Sequence, residues 1–335
     1  MSTRFAASLF LSAGLTLAVP LAAQGNSAKM PNLKPLKGTP SPSAPADKDH
    51  FVFVIAGDNR PAKSGDPQNS IVKAIFADIA QLKPAFVLWT GDTISGKDPG
   101  DPTKIDAQYV EFLGIAATGG AAVYNAPGNH EMDDHNNCPS KKMVDLYLKD
   151  NDQDYPYGAF TYGNSRFIAL NTDDDQGSPP KECDCTGQSG DDKPPGFISK
   201  SQRQLLEKDL DGNKDKAHIF IVMHRPIKGY ESKDQLCDKN VSDLKDMFKN
   251  YTNVSYVVAG HQHMYFNKQG PEFGPPPVRT DPSQPPYYLV SGGAGAPLKN
   301  IKGGSAFYHY LVFAVDGEKV TVKVVHLPET TGKGT

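Results

Sequence analysis

The sequence predicts an α/β protein in which two packed β-sheets lie between outer layers of helices. Two features of the pattern support this fold class. Short runs rich in β-branched and aromatic residues, each with the length of a buried strand, alternate with amphipathic segments over much of the chain. The C-terminal part is richer in strand-like runs than the rest, which indicates a second sheet packed on the first.

The predicted elements follow one another with short connections. Strands are expected near residues 51–56, 85–90, 121–125, 157–163, 166–171, 218–223, 254–259, 286–290, 307–315 and 319–326. Helices are expected near residues 68–82, 104–117, 140–149, 200–210 and 239–249. The dipeptide Asp316-Gly317 between the last two strands is a strong hairpin signal.

The N-terminal residues predict export to the periplasm or the extracellular space. Residues 1–25 carry Arg4 near the start, then a short apolar stretch and small residues, which is typical of a secretory signal peptide. The apolar stretch is too short for a stable membrane anchor, so no membrane span is expected. The alternative is an N-terminal core helix. Residues 26–48 are expected to form an exposed linker rich in Pro, Ser and Lys, residues 49–327 one folded domain, and residues 328–335 a C-terminal tail.

The predicted export bears on the oxidation state of the four cysteines, Cys138, Cys183, Cys185 and Cys237. In an oxidising compartment they are expected to form two disulfides. Cys183 and Cys185 are separated by one residue, so a bond between them would be strained. Each is therefore expected to pair with Cys138 or Cys237. The alternative is a thiolate metal site, although structural zinc sites usually space their paired cysteines more widely.

Composition and net charge argue against nucleic-acid binding as the function of this protein. The chain has 335 residues and a formal net charge of −3. This near-neutral balance offers no basic field for nucleic acid, so no nucleic-acid-binding surface is expected. A small-molecule substrate, nucleotides included, remains compatible with it.

Five strand-like runs end in residues that can bind a metal or transfer a proton. The polar residues that follow them are Gly57-Asp58, Gly91-Asp92, Gly128-Asn129-His130, His224 and Gly260-His261-Gln262-His263. In open α/β sheets, ligands bind in the crevice outside the carboxyl ends of the strands. Each block alone has an ordinary explanation as a helix cap, a turn or a core histidine. Together they predict one metal site.

These blocks resemble the calcineurin-like metallophosphoesterase family, which includes purple acid phosphatases, cyclic-nucleotide phosphodiesterases and phosphoprotein phosphatases. They occur in the family's order, as Gly57-Asp58-Asn59-Arg60, Gly91-Asp92-Thr93, Gly128-Asn129-His130-Glu131, His224 and Gly260-His261-Gln262-His263. The resemblance implies a four-layer α/β/β/α sandwich with two mixed β-sheets flanked by helices. It also implies hydrolysis of small-molecule phosphate esters by a hydroxide held between two metal ions.

The resemblance also implies roles for individual residues. Asp92 would bridge both metals, with Asp58 and His263 on one metal and Asn129, His224 and His261 on the other. Divalent or trivalent Mn, Fe or Zn suit these nitrogen and oxygen ligands. His130 would bind no metal and would give a proton or a hydrogen bond to the leaving oxygen.

Two positions depart from the family pattern. Ser95 occupies a position where many relatives have an Asp that orients the catalytic histidine, and Glu131 and Asp133 are the nearby candidates for that task. Arg60 stands where many relatives have a metal-binding His. A guanidinium has no acceptor atom and cannot coordinate a cation. Arg60 is therefore either a clamp for a phosphate oxygen or a partner in a structural salt bridge.

The resemblance leaves the substrate open. The Gly-Asn-His-Glu block and the Gly-His-x-His-x-Tyr run that ends at Tyr265 favour phosphomonoesters. The alternatives are a phosphodiesterase acting on nucleotides or phospholipid head groups and, from another class, a catalytically inactive relative that binds a metal or ligand. The Pro-rich segment 269–286 follows the last motif, so it either shapes access to the site or forms a surface insert.

Overall fold

The computed structural model describes residues 29–97, 101–134, 138–174, 195–231, 234–281, 284, 286–299 and 306–328. The predicted signal peptide, Cys183, Cys185 and nearly all of the predicted C-terminal tail lie outside the described residues. Over the part that is described, no helix combines the length and the apolar content needed to cross a bilayer.

Eleven strands and six helices lie within these residues. The strands are β1 (His50–Ala56), β2 (Phe86–Trp89), β3 (Ala122–Asn125), β4 (Gly158–Tyr162), β5 (Ser165–Ala169), β6 (His218–Met223), β7 (Val254–Ala259), β8 (Tyr265–Asn267), β9 (Tyr287–Ser291), β10 (His309–Asp316) and β11 (Lys319–His326). The helices are α1 (Ser70–Leu82), α2 (Pro102–Thr118), α3 (Asn129–Met132), α4 (Lys141–Asn151), α5 (Lys200–Asp211) and α6 (Asp238–Phe248). Every predicted strand and helix is present, and the sequence does not predict the short elements β8 and α3.

The strands form two mixed sheets. The first has the order β11-β10-β1-β2-β3, and the second has the order β4-β5-β6-β7-β9-β8. In the first sheet β1 pairs parallel with β2 and antiparallel with β10. In the second, β5, β6, β7 and β9 run parallel, and β4 and β8 pair antiparallel at the two edges. The parallel strands of each sheet therefore end at one edge, where a ligand site can form.

Aromatic packing holds the two sheets together. Phe53 and Phe313 of the first sheet stack with ring centroids 4.9 Å apart, and Phe167 and Phe220 of the second stack at 5.1 Å. Phe53 contacts Phe220 across the interface edge-to-face at 5.0 Å. Helices α1, α2 and α4 cover the outer face of the first sheet, and α5 and α6 cover that of the second. The predicted four-layer α/β/β/α sandwich is confirmed.

The segment predicted to be an exposed linker differs from that expectation. Met30, Leu33 and Leu36 are buried, and each packs into a different layer of the core. The Leu33 N–H donates to Ala159 O at 3.1 Å on edge strand β4, and the Leu36 N–H donates to Val123 O at 2.7 Å on edge strand β3. The segment thus joins the edges of both sheets, because three apolar side chains outweigh its high Pro and Ser content. The domain boundary at residue 49 stays a prediction.

A buried histidine in β10 links folding to pH. His309 Nδ1 donates to Phe307 O at 2.9 Å, and its Nε2 accepts from Ser291 Oγ at 3.1 Å, so the neutral ring is fully satisfied. Burial lowers the pKa of His309 from 6.5 to about 4. The unfolded chain therefore binds a proton first as pH falls, and His309 removes stability between pH 6.5 and about pH 4.

The native chain should lose free energy of unfolding when the pH falls from about 7.5 to about 5. We expect this loss to be smaller by roughly 2 kcal/mol in His309→Asn. Urea unfolding of the metal-free protein at both pH values measures the difference. Exposed His50 is the matched control. Asp47 raises the pKa of His50, so protonation of His50 favours the folded chain, whereas protonation of His309 opposes folding. An acid-induced loss of equal size in His309→Asn and in the native chain contradicts this role.

Candidate metal centre

The predicted site residues meet at one edge of the sandwich. Asp58 and Asp92 follow strands β1 and β2, and Asn129 and His130 lie in α3, just after β3. On the second sheet, His224 follows β6, and His261 and His263 follow β7. The carboxyl ends of parallel strands from both sheets thus supply the whole set, as the sequence predicts.

Backbone strain and close loop packing set the positions of three of these residues. Asp58, Asp92 and His261 have φ angles of 62°, 53° and 69°, a left-handed conformation that is uncommon outside glycine. A side chain at Gly128 would overlap the Asp92 carboxylate, and one at Gly260 would overlap the Asp58 carboxylate. Such strain persists only where the surroundings impose it, and it is typical of functional sites.

One group of ligand atoms comes from Asp58, Asp92 and His263. Their ligand atoms lie within 4.8 Å of one another. His263 Nδ1 donates to Pro297 O at 2.7 Å, which leaves the Nε2 lone pair facing Asp58 Oδ1 at 3.6 Å. Asp58 also accepts the backbone N–H of His261 at 2.9 Å, which fixes its carboxylate.

A second group comes from Asn129, His224 and His261. Asn129 Oδ1, His224 Nε2 and His261 Nδ1 are each 3.1 Å from the other two. His224 Nδ1 donates to Thr90 O at 2.7 Å, so its Nε2 presents a lone pair to the Asn129 oxygen. Asp92 Oδ1 lies 3.3 Å from His224 Nε2, so Asp92 borders both groups. Acceptor atoms gathered in this way suit metal cations, and Asp92 would be within reach of both groups.

The electrostatics of the buried carboxylates also favour bound cations. Burial, together with the charge of Asp92, raises the pKa of Asp58 well above its ordinary value. Burial opposes ionisation of Asp92 as well, but His224, His130 and Arg60 hold its pKa below the ordinary value. Burial and the nearby Arg60 lower the pKa of His263 to about 4. His263 is therefore neutral at physiological pH, as metal coordination requires.

A backbone carbonyl orients His130. The His130 Nδ1–H donates to Ser95 O at 2.5 Å, and its backbone N–H donates to Asp92 Oδ1 at 3.1 Å. Gln108 Oε1 accepts the Ser95 N–H at 2.7 Å and holds that turn in place. His130 Nε2 is left facing the site, 3.9 Å from Asp92 Oδ2. Burial lowers the pKa of His130 to about 3.

The two acidic residues suggested as orienters of His130 have other positions, so that suggestion is wrong. Glu131 accepts the N–H groups of Asp92, Thr93 and Gly128 at 2.9, 2.6 and 2.6 Å, and so ties the ligand loops together. Asp133 is fully buried, with its Oδ2 3.7 Å from Lys97 Nζ and 3.7 Å from Arg225 Nη2. Neither carboxylate contacts the His130 ring through a hydrogen bond that the structure records.

Arg60 lies at the mouth of the site. Its Nε is 3.4 Å from Asp92 Oδ2, and 20% of its side chain is exposed. Within the described structure, the Nε–H makes no hydrogen bond of its own. Both sequence-based interpretations of Arg60 find support here, since it pairs loosely with Asp92 and also faces the space that a substrate would fill.

The site opens into a cavity of about 330 Å³. Its lining consists of Arg60, Asp92, Asn129, His130, Asp234, His261, Gln262, His263, Pro297 and Lys299. Asp234 and Lys299 carry no motif and escape sequence analysis. Lys299 Nζ binds Glu231 at 2.8 Å and Asp234 at 3.0 Å, so an ion-paired cluster forms part of the rim.

The Pro-rich segment 269–286 does not reach this rim over its described residues. Its Arg279 is buried and donates to Ser255 O at 3.3 Å and to Thr252 O at 2.7 Å. Arg279 also forms a backbone bridge to Val320. Over its described residues the segment therefore supplies no part of the cavity lining, as the alternative of a surface insert predicts.

The model of the calcineurin-like phosphoesterase family matches residues 51–265. The chain belongs to this family. It is accordingly a metal-dependent phosphoric ester hydrolase by membership, and the matched span contains every candidate ligand. No curated protein matches the sequence significantly.

Solved structures share the fold of this calcineurin-like phosphoesterase. A dimetal phosphatase from Danio rerio is 14% identical with a TM-score of 0.56, and the match covers 82% of this chain and 95% of that one. GAP50, the anchor in the inner membrane complex of Plasmodium, is 15% identical with a TM-score of 0.50 and coverage of 83% and 84%. At these identities the likeness extends to the fold alone.

Proposed function

We propose that this protein hydrolyses small-molecule phosphomonoesters at two metal ions. Asp58, Asp92 and His263 would hold one ion, and Asp92, Asn129, His224 and His261 the other. The observation that carries the proposal is the convergence of these six side chains at one edge of the sandwich. Four of them, Asp92, Asn129, His261 and His263, line one cavity together with His130 and Arg60. Mn, Fe and Zn all suit the ligands, and the family resemblance supports a pair of ions.

The chain's own residues have distinct tasks in this proposal. Two bound metal ions would supply activated water and neutralise phosphate charge. Arg60 lines the cavity and binds a phosphate oxygen through its guanidinium, which fixes the orientation of the ester. His130, held by Ser95 O, directs Nε2 toward the leaving oxygen and donates a proton to it. Substrate negative charge favours protonation of His130, which offsets the lowering of its pKa by burial.

The size of the cavity supports small monoesters. A volume of about 330 Å³ lies at the low end of ligand pockets and accommodates a phosphoryl group with a small leaving group. Arg60 at the mouth adds positive charge that favours a dianionic monoester over a monoanionic diester, whereas Glu231 and Asp234 neutralise Lys299.

A substrate panel tests the proposal. The protein, stripped of metal and reloaded with Mn²⁺, Fe or Zn²⁺, would be assayed with an aryl phosphate and with the corresponding bis-aryl phosphate. We expect a higher kcat/KM for the monoester. A preference for the diester would indicate a phosphodiesterase, and no hydrolysis of either ester with two metals bound would indicate a binding protein.

Arg60→Ala should raise KM, lower kcat/KM and weaken inhibition by phosphate, while metal content stays unchanged. A charge-assisted bond of this kind contributes about 1.5–3 kcal/mol, so we expect a loss of roughly 10- to 100-fold in kcat/KM. Steady-state kinetics with inorganic phosphate as inhibitor measure both effects. Lys299→Met, which removes another rim cation, is the control. Unaltered KM and phosphate inhibition in Arg60→Ala would limit Arg60 to a salt bridge.

We also propose export to the periplasm or extracellular space, supported by the signal-peptide pattern of residues 1–25. Neither of the two described cysteines, Cys138 and Cys237, is a free thiol. N-terminal sequencing of protein recovered outside the cytoplasm would show whether the first residues are removed.

Two disulfides are expected in the exported protein, with Cys183 and Cys185 bonded to different partners among Cys138 and Cys237. Peptide mapping without reductant identifies the bonded pairs, and a reduced and alkylated sample is the control. Four free thiols, or a Cys183–Cys185 bond, would contradict this pairing and weaken the argument for export.

A further inference from the structure

The three candidate histidine ligands differ in the partner of the ring nitrogen that points away from the metal site. His224 and His263 each donate Nδ1–H to a backbone carbonyl, at 2.7 Å in both cases, and keep Nε2 for a metal. His261 faces the ligand group with Nδ1 instead. Behind His261, its Nε2 lies 3.3 Å from Nη1 of Arg225. A guanidinium carries donors and no acceptor, so Arg225 uses the Nε2 lone pair of the ring.

This contact opposes metal binding by His261. A neutral imidazole that coordinates through Nδ1 carries its proton on Nε2 and normally donates it to a carboxylate, a carbonyl or water. While Arg225 donates to Nε2, the ring proton must be on Nδ1, the atom that would face the metal. The contact with Arg225 and coordination through Nδ1 therefore exclude each other for a neutral ring.

Arg225 has an alternative acceptor beside it. Its Nε donates to Asp173 Oδ1 at 2.7 Å, which anchors the side chain, and its Nη2 lies 3.7 Å from Asp133 Oδ2. Asp133 is fully buried, and neither of its carboxylate oxygens accepts a hydrogen bond in the described structure. Gly196 leaves room for the arginine, because a side chain there would overlap Arg225 Cδ. A small rotation of the guanidinium would thus replace His261 by Asp133.

We propose that Arg225 tunes the second metal site by competing with the metal for His261. Coordination of a metal through Nδ1 of His261 would require Arg225 to release Nε2, and Asp133 would then accept the guanidinium N–H. Arg225 is thus a positioning residue whose competition makes the second ion bind more weakly than its ligands alone would allow. The inference rests on the proposed two-metal site.

Calorimetric titration of the metal-free, full-length protein with Mn²⁺ tests this competition. We expect Arg225→Gln to tighten the second site about tenfold and to leave the first unchanged, because a glutamine carbonyl can accept the Nε2–H of His261. Asp133→Asn should weaken the second site, since the amide keeps one acceptor oxygen but loses the negative charge that favours the guanidinium. In the Arg225→Gln background, Asp133→Asn should have little further effect, because the two changes act through one contact.

The matched control is Arg166→Gln. Arg166 pairs with Asp209 through two hydrogen bonds of 2.6 and 2.9 Å, and no metal ligand is among its recorded partners. Its replacement should lower thermal stability without changing either metal affinity. If Arg225→Gln fails to fold with Asp173 unpaired, Arg225→Gln combined with Asp173→Asn removes both charges, and the same tightening is expected.

Unchanged or weaker affinity at the second site in the folded Arg225 variants would overturn the inference. An effect of Asp133→Asn that is undiminished in the Arg225→Gln background would also overturn it, since the loss would then be simple charge removal. If the native protein binds two equivalents of Mn²⁺ and the Arg225 variants bind the second with unchanged affinity, this inference alone is overturned. Fewer than two equivalents on the native chain overturn the two-metal proposal as well.

Discussion

Asp92→Asn should abolish measurable turnover and release at least one equivalent of bound metal. Asp92 is the residue that borders both ligand groups, with its carboxylate 3.3 Å from His224 Nε2 and within 4.8 Å of the ligand atoms of Asp58 and His263. An amide offers one oxygen and no charge, so it cannot bridge two cations. Loss of the Asp92 carboxylate therefore weakens both metal sites at once.

Metal analysis after desalting, together with an aryl phosphate assay, measures this result. Asp209→Asn is the control, because Asp209 is a buried, ion-paired aspartate away from the site. It should retain full metal content and near-native activity in the folded fraction. Native-like activity and two metal equivalents in Asp92→Asn would remove the bridging role.

His130→Ala should retain both metals and lose about 10²- to 10⁴-fold in rate, the usual contribution of a general acid. The loss should shrink as the leaving group becomes more acidic, since such a group departs without a proton. The structural reason is that His130 lines the cavity and is fixed by Ser95 O, but belongs to neither ligand group.

A series of aryl phosphates with graded leaving-group acidity tests this expectation, with metal content determined in parallel. Gln108→Leu is an informative companion, because it loosens the Ser95 turn that holds His130 without touching the ring. It should show a smaller loss with the same dependence on the leaving group. An equal loss across the series, or release of metal from His130→Ala, would exclude the general-acid role.

Sequence patterns predicted the fold well because most strands are continuous runs of buried β-branched and aromatic residues. The elements that escaped are short: α3 has four residues and β8 has three, which is too few for any periodicity. Leu33 and Leu36 escaped for another reason, since prolines and serines dominate their segment. Their burial depends on two sheet edges that come together only in the folded chain.

The ligand set could be predicted because motif residues sit at strand ends, and strand ends converge in this class of fold. The group that orients His130 could not be predicted. It is the backbone carbonyl of Ser95, and a backbone group leaves no signature in the sequence. The rim pair of Asp234 and Lys299 and the contact of Arg225 with His261 join segments far apart in the chain. Only the tertiary structure brings such partners together.

Anomalous diffraction from crystals of the metal-loaded protein tests the central claim most directly. We predict two peaks about 3.5–4 Å apart at the shared edge of the two sheets, with the Asp92 carboxylate between them. One peak should lie beside Asp58 and His263, and the other beside Asn129, His224 and His261. A single peak, or a metal bound away from Asp92, would contradict the two-metal account.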